Sequence, residues 1–375
     1  MILKTLLWAF ASLAAICLHS NTALAYTPFD TKVVDRGLVY LENADPKDYH
    51  YGTSGFAGGL GERALVAYTH FKVKHDPNAR VVQQGIAAVK TMVGVIRSGK
   101  RNVPGISFEV YSTAVAVMLL AEVDKDKYKS ELKTLQGFLY ELQYPNGAFS
   151  YIGHKTGDIS QTQYGLLAIW TLDHAGIPLD YKRVAACAKW LIRVQDPSGG
   201  WPYQAEDPGP GRPNIRQKDV YPAMAYAGGS SILIAGDALR LWGDTSRSDM
   251  SAFPGAPKAI KLYVPDANSE RRKGATVNSE KVINAIKASD RYLANTEYKR
   301  AAKDYYYYQL YTQERYESFK EIALGLKPDE SPSWYNQGVD ELIGYQDSKS
   351  GGWGVEDHDH SGSVAGTCFA ILFLI

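Results

Sequence analysis

The 375-residue sequence is poor in cysteine, has no net excess of charge and contains one strongly apolar leader. In that leader Lys4 precedes the apolar residues 5–18, and a small-x-small site follows at 23–25. This arrangement is typical of a secretory signal peptide, and the apolar run is too short to span a bilayer comfortably. We therefore predict cleavage after Ala25, a secreted or periplasmic mature chain, and no transmembrane helix once the leader is removed.

The balance of charge argues against a further group of functions. Lys4 is the only charged residue of the leader, so the mature chain carries 40 of the 41 basic residues and all 40 acidic ones. Such a chain lacks the basic excess that favours nucleic acids or anionic membranes. We expect a small-molecule or glycan ligand and no nucleic-acid partner, and the sequence leaves the oligomeric state open.

Only two cysteines follow the leader, Cys187 and Cys368, and both lie in apolar helical patterns. A disulfide would require the two positions to be adjacent in space, whereas apolar surroundings are typical of buried free thiols. We expect two buried thiols. P-loop, GxSxG, HExxH and CxxC motifs are also absent, so no signature of those catalytic classes is present.

A short glutamine-to-aromatic motif recurs along the chain. It reads QYPNGAF at 143–149, QDPSGGW at 195–201 and QDSKSGGW at 346–353. The first two glutamines are 52 residues apart, and the third follows after about three such periods. A recurrence of about 50 residues indicates a repeat architecture.

The apolar residues recur with helical periodicity, and no alternating run is long enough to suggest a sheet. We predict helices in pairs, an amphipathic first member and a second member that is buried on most sides. The polar segment at about 243–278 interrupts the rhythm, and the Pro- and Gly-rich segment 204–220 is predicted to be a rim loop. The predicted pairs are 31–42 with 61–73, 79–97 with 108–123, 127–143 with 160–175, 181–195 with 222–242, 279–294 with 302–324, and 333–346 with 361–375.

These repeats resemble the QW repeats of squalene and other triterpene cyclases, whose fold is shared by protein prenyltransferase β subunits. Trp190, Leu191 and Gln195, followed by Gly-Gly-Trp at 199–201, carry the resemblance. The run 160–170 is similar to an inner helix after such a repeat. The resemblance implies one α/α-toroid domain over residues 26–375, with about six inner and six outer helices in a closed ring. It is strongest toward secreted bacterial proteins with squalene-cyclase-type repeats, and it implies an apolar, isoprenoid-like ligand.

The chain departs from the cyclases at the catalytic acid. Class II cyclases protonate an alkene with an aspartate of a DxDD motif, and this sequence has none. Asp124 and Asp126 are the nearest approach, and they lie in a polar turn. We therefore expect that the protein does not cyclise squalene.

The densest cluster of chemically active side chains is EDHDH at 356–360. Asp357, Asp359 and His360 are candidates for proton transfer, and His358 and His360 for binding a divalent metal. Prenyltransferase β subunits bind zinc through Asp, Cys and His near inner-helix starts, and His360 with Cys368 resembles that set at a different spacing. The alternative is helix capping by Asp359.

Other pairs place polar residues at the same point, the start of the second helix. Asp158, Asp219 and Asp304 occupy it in pairs three, four and five. All inner helices of a toroid run the same way, so we expect these residues to meet His360 at one mouth, with Asp158 a further catalytic candidate; capping is again the alternative. The predicted ligand-binding residues are Tyr164, Trp201, Tyr203, Asp219, Tyr221, Asp304, Tyr305, Tyr308 and Trp353.

Two further functions remain open. Several polysaccharide lyases use α/α toroids with Tyr, His and Arg in proton abstraction, so an extracytoplasmic glycan enzyme is one. A non-catalytic module, like the toroidal thioester domains, is the other, although the Cys-Gly-x-Gln thioester motif is absent. The composition of the central cavity distinguishes these functions. An apolar and aromatic cavity would favour an isoprenoid-like ligand, and an open and charged one would favour a glycan. A cavity filled with side chains would favour a non-catalytic module.

Overall fold

The computed structural model describes residues 32–44, 60–100, 109–243, 276–296, 305–326, 329, 331–355 and 359–375. Over these ranges the protein is all-α, as predicted, with twelve helices and two strands of two residues each. The predicted signal peptide lies outside the described residues, as do most of the insertion at 243–278 and three site candidates, Asp304, Asp357 and His358.

The helices follow the paired order that the periodicity predicts. Among the described residues, the largest difference between a predicted and an observed helix boundary is at the end of the eighth helix, α8. This helix ends at Ala238 and not near Trp242 as predicted. Arg240 has a left-handed backbone (φ 54°) that ends the helix, and the Trp242 indole folds back to donate to Asp237 Oδ1 at 3.0 Å. The helices are α1 (Val33–Asn43), α2 (Leu60–Lys74), α3 (Arg80–Arg97), α4 (Val110–Asp124), α5 (Lys129–Leu142), α6 (Ile159–His174), α7 (Tyr181–Val194), α8 (Pro222–Ala238), α9 (Ser279–Asn295), α10 (Tyr306–Leu324), α11 (Ser333–Tyr345) and α12 (Ser363–Leu374).

The even-numbered helices contact one another in chain order. Each of α2, α4, α6, α8 and α10 packs against the next, and α12 packs against both α10 and α2. The series of contacts therefore returns to its first member. We call these helices the inner helices; α4, α8 and α12 are apolar and buried along most of their length, whereas α10 is buried mainly in its first half.

The odd-numbered helices, which we call the outer helices, are amphipathic. In α7 the buried residues recur three or four positions apart, from Val184 to Val194, and the exposed residues are Lys182 and Lys189. α3 packs on α2, α5 on α4, α7 and α9 on α8, and α1 on α12. The apolar stripe of each outer helix is thus buried against inner helices, and the core lies between the two series.

Each repeated glutamine joins two outer helices. Gln195 ends α7, and its Nε2 donates to Gly199 O at 2.7 Å and to Ala285 O of α9 at 2.9 Å. Gln346 ends α11 and donates to Gly351 O and to Val33 O of α1, both at 2.8 Å. The second contact connects the last repeat to the first helix. Gln143 likewise joins α5 to Arg183 O of α7 at 3.3 Å.

A two-stranded antiparallel ribbon departs from the expectation of helices alone. β1 (Gly157–Asp158) pairs with β2 (Gln204–Ala205), placing Asp158 opposite Gln204. Strands of two residues are too short to produce an alternating pattern in the sequence. The remainder of the segment 204–220 contains no helix, in agreement with the predicted loop.

Two further expectations can be compared with the described residues. Cys187 and Cys368 are both buried and free, as predicted. No helix within the described ranges has the length and apolar composition needed to cross a bilayer.

Candidate ligand-binding site

One cavity lies where inner helices begin. Its wall includes the first turns of α4, α6, α8 and α12 and the first residues of α10. It holds about 610 Å³ of space between wall atoms, the open mouth included, of which only about 60 Å³ is open to the centre of a water molecule. The cavity is therefore narrow and suits a small group or the end of a chain. It is lined by Tyr111, Tyr151, Ser160, Tyr164, Tyr203, Tyr221, Ala223, Met224, Tyr305, Tyr308, Ser361, Ala365 and Phe369.

Five of the predicted ligand-binding tyrosines meet in this wall: Tyr164, Tyr203, Tyr221, Tyr305 and Tyr308. They come from three inner-helix starts and from the connection after α7. The rings of Tyr164 and Tyr308 stack with centroids 6.5 Å apart. The wall is thus a set of contacting rings contributed by segments far apart in the chain.

The tyrosine run at the start of α10 divides between cavity and core. Tyr305 and Tyr308 line the cavity. Tyr306 instead donates its hydroxyl to Glu341 of α11, and Tyr307 is buried against Gly366 of α12. Because successive helical positions point about 100° apart, one run supplies both surfaces.

Asp158 lies directly behind the cavity wall. The Tyr111 hydroxyl donates to Ser160 Oγ, which donates to Asp158 Oδ1, both at 2.6 Å. Gln161 N–H donates to the same oxygen at 2.8 Å, and Gln204 Nε2 donates to Oδ2 at 2.5 Å. Asp158 caps α6, so the capping interpretation is confirmed. The same carboxyl group is also linked to the cavity through two hydroxyls.

Burial controls the protonation of this site. It raises the pKa of Asp158 from 3.8 to about 6, although the bonds from Ser160 and Gln161 oppose the shift. Burial also raises the pKa of the Tyr111, Tyr164 and Tyr308 phenols well above their ordinary range. At neutral pH these tyrosines are therefore neutral, and Asp158 is largely ionised.

The EDHDH cluster is described only at Asp359 and His360. Asp359 is buried, and its carboxylate accepts bonds from Tyr306 N at 2.6 Å and Ser361 N at 2.7 Å. It therefore caps the start of α10 and not, as the capping interpretation expected, the start of α12, whose N-cap is Gly362 without a side-chain cap. His360 is exposed, with its ring centroid 5.5 Å from that of Tyr305, a residue of the cavity wall.

Three predicted ligand contacts belong elsewhere. Trp201 and Trp353 are completely buried, and their Nε1 groups donate to Leu191 O at 2.9 Å and Leu342 O at 2.8 Å. They fill the turns between helices and are absent from the cavity wall. Asp219 is exposed outside that wall, and its carbonyl oxygen accepts a bond from Tyr203 N at 3.2 Å. These three residues therefore do not belong to the described cavity wall. A repeated aromatic or acidic residue does not reveal in the sequence which way it faces.

Metal binding by the described residues finds no support in their geometry. Within the described ranges no three His, Cys, Asp or Glu side chains form a group that could hold a metal ion. Asp357, His358 and Asp304 lie outside those ranges, so the predicted metal and mouth roles of these three stay predictions.

Sequence reasoning missed several wall residues. Tyr111 is the second residue of α4. It therefore lies at the start of an inner helix, the position that identified the polar candidates of the other repeats, and the same criterion would have found it. Tyr151 lies in the connection before α6 and carries no comparable signal. Met224 and Phe369 are ordinary members of apolar helices, and only the packing places them at the cavity.

Comparison of the chain with protein-family models gives no match, and comparison with curated proteins gives none either.

Proposed function

We propose that this protein is an α/α toroid that binds a small, largely apolar ligand at the mouth of its inner helices. The cyclic order of contacts between inner helices and the glutamine links between outer helices support the toroid. In keeping with the resemblance to squalene-cyclase-type repeats, the proposal includes export by the predicted signal peptide.

The observation that carries the binding proposal is the composition of the cavity wall. Seven of its thirteen residues are tyrosines, and all thirteen are uncharged. Aromatic and aliphatic walls with a few fixed polar groups are typical of sites for small molecules. Ser361 adds a buried hydroxyl that has no hydrogen-bond partner among the described residues. An isoprenoid-like chain end with one polar group fits this wall.

A polysaccharide lyase-like enzyme is less well supported by the same wall. Abstraction of a proton beside a uronate carboxylate needs positive charge near that carboxylate, and the wall consists of neutral side chains. Asp158, directly behind the wall, is negative and would repel an acidic sugar.

Mass spectrometry of small molecules that co-purify with the mature protein tests the proposal. Geraniol, a short isoprenoid alcohol, serves as a defined probe by saturation-transfer NMR, with a uronic acid disaccharide as the competing class. We expect geraniol to bind the wild type and to lose affinity in Tyr221→Ala, while Tyr345→Ala, an exposed tyrosine outside the wall, binds as the wild type does. Binding of the disaccharide alone, or of geraniol equally in all variants with no co-purifying ligand, would contradict the proposal.

A further inference from the structure

Three tyrosines of the cavity wall use their hydroxyl protons within the protein, whereas the buried hydroxyl of Ser361 keeps its own. The hydroxyls of Tyr111, Tyr203 and Tyr308 donate to acceptors within the protein: Ser160 Oγ at 2.6 Å, the Tyr151 hydroxyl at 3.0 Å and Gln163 Oε1 at 2.7 Å. A ligand in the cavity therefore meets tyrosine rings and phenolic oxygens rather than the protons of these three groups. Ring faces and oxygen lone pairs both attract positive charge.

The carboxylate behind this wall lacks a cation. Its described hydrogen-bond donors, from Ser160, Gln161 and Gln204, are all neutral. Asp158 forms no ion pair with any residue in the described part of the chain, although it is completely buried. A buried carboxylate without a partner of opposite charge is costly, and a bound cation would reduce that cost.

The groups that surround Asp158 do not neutralise its negative charge. Tyrosines face it from α4, α10 and the two connections that flank β1 and β2, and they are neutral phenols. His154 is exposed, and its charge acts to lower the pKa of Asp158 less than the hydrogen bonds from Ser160 and Gln161 do. Deeper in the inner ring, Arg315 lies 2.8 Å from Glu314 and is thereby neutralised.

Arg315 also provides a precedent within the same set of helices. Its guanidinium carbon lies 3.5 Å from the centroid of the Tyr311 ring, and Tyr311 in turn contacts Phe369 of the cavity wall. The interior that the inner helices form therefore already holds one organic cation against a tyrosine ring.

We propose that the cavity is a site for an organic ammonium ion, whose quaternary or tertiary ammonium group contacts the tyrosine rings and is attracted by the Asp158 carboxylate. A hydroxyl on the same ligand would be placed to bond with Ser361. This inference rests on the proposed function, because it assigns a charge to the ligand of the same cavity. Cation–π attraction and an opposite charge in a poorly hydrated site act in the same direction.

The pH dependence of binding follows from the carboxylate. Burial raises the pKa of Asp158 to about 6, so the attracting charge is present above that pH and is lost as the pH falls through it. A bound cation favours the ionised form, so binding and deprotonation support each other. Affinity for a permanent cation should therefore fall between pH 8 and pH 5, while affinity for a neutral isostere should stay nearly constant.

Choline and 3,3-dimethylbutan-1-ol are a matched pair of probes, because they share shape and hydroxyl and differ in charge. Calorimetric titration of the mature protein at pH 8 should give at least tenfold tighter binding for choline, and the preference should shrink severalfold at pH 5. Asp158→Asn should weaken choline binding at least fivefold and change the affinity for 3,3-dimethylbutan-1-ol by less than twofold. Asp180→Asn, at the exposed N-cap of α7, is the matched control and should leave both affinities unchanged.

Each other outcome separates the two proposals. Equal affinity for both probes, or tighter binding of the alcohol, overturns the ammonium inference and leaves a neutral ligand in place. Binding of geraniol without binding of choline also overturns the ammonium inference and leaves a neutral ligand in place. Binding of none of the three probes contradicts the ligand site itself. If Asp158→Asn fails to fold, Tyr305→Ala at the mouth replaces it, and an unchanged affinity for choline in that variant would overturn the inference.

Discussion

Connections into the inner helices contain two regions that use aromatic side chains in opposite ways. In the turns, Trp201 and Trp353 are completely buried and each donates a hydrogen bond to the outer helix before it. At the mouth, Tyr221 and Tyr305 remain 37% and 43% exposed and border a cavity. The turns satisfy their polar groups inside the protein, whereas the mouth leaves aromatic surface exposed beside the cavity.

The polar side chains of the turns and of the mouth also differ, in charge and in the partners they bond. Gln195 and Gln346 are neutral, and each donates to two backbone carbonyls, one in its own turn and one in another outer helix. Asp158 is buried as a carboxyl group with a raised pKa and with neutral donors only. One region thus stabilises the fold, while the other accepts a cost in stability, as binding sites commonly do.

The largest effect should come from emptying a turn. Trp201→Ala removes a fully buried indole that packs against Gly228 and bonds Leu191, and should lower the free energy of unfolding by about 3–5 kcal/mol. Urea unfolding followed by circular dichroism measures it. Tyr345→Ala, 45% exposed, is the control and should cost less than about 1 kcal/mol. A loss under about 1 kcal/mol for Trp201→Ala would mean that the turns do not stabilise the fold.

The second effect is the dependence of stability on pH at the mouth. Since burial raises the pKa of Asp158 from 3.8 to about 6, the folded protein holds a proton in this interval that the unfolded chain has released. Stability contributed by this group is therefore present below pH 4 and is lost as the pH rises to about 6, by about 3 kcal/mol in total. The stability of wild type relative to Asp158→Asn should fall by this amount between pH 3.5 and pH 7. A difference independent of pH would contradict the raised pKa.

A smaller effect is expected at the contact that joins the last repeat to the first helix. Gln346→Ala removes the side-chain bonds to Val33 O and Gly351 O and should cost about 1–2 kcal/mol. Amide hydrogen exchange in α1 should become faster at the same time. Gln337→Ala, which removes an exposed bond to Glu341, should change neither quantity. Unchanged exchange in α1 would show that the glutamine does not hold the two ends of the helical series together.

The smallest effect on stability should occur where the effect on binding is largest. Tyr221→Ala removes a ring that is 37% exposed, so its cost to folding should be less than about 1 kcal/mol. Its affinity for geraniol or choline should nevertheless fall about fivefold, because each ring contact contributes on the order of 1 kcal/mol. Large destabilisation with unchanged binding would assign Tyr221 to the core instead of the site.

Much of the fold could be predicted from the sequence because its signals are local. Helical periodicity predicted the twelve helices, and the recurrence of Gln143, Gln195 and Gln346 predicted the repeats. The site was predicted less completely. Position at a helix start identified Tyr221 and Tyr305, but the direction of a side chain depends on packing between distant helices. For that reason Trp201 was placed among the ligand contacts, and Tyr151 was missed.

The most direct test of a ligand site at the mouth is tyrosine-selective NMR of the mature protein with ¹³C-labelled rings. Choline, 3,3-dimethylbutan-1-ol and geraniol are each titrated, and resonances are assigned by Tyr→Phe variants. The account predicts saturable shifts for tyrosines of the cavity wall, such as Tyr164 and Tyr308, and none for Tyr128 or Tyr335. Shifts that are absent, or spread evenly over all tyrosines, would contradict it.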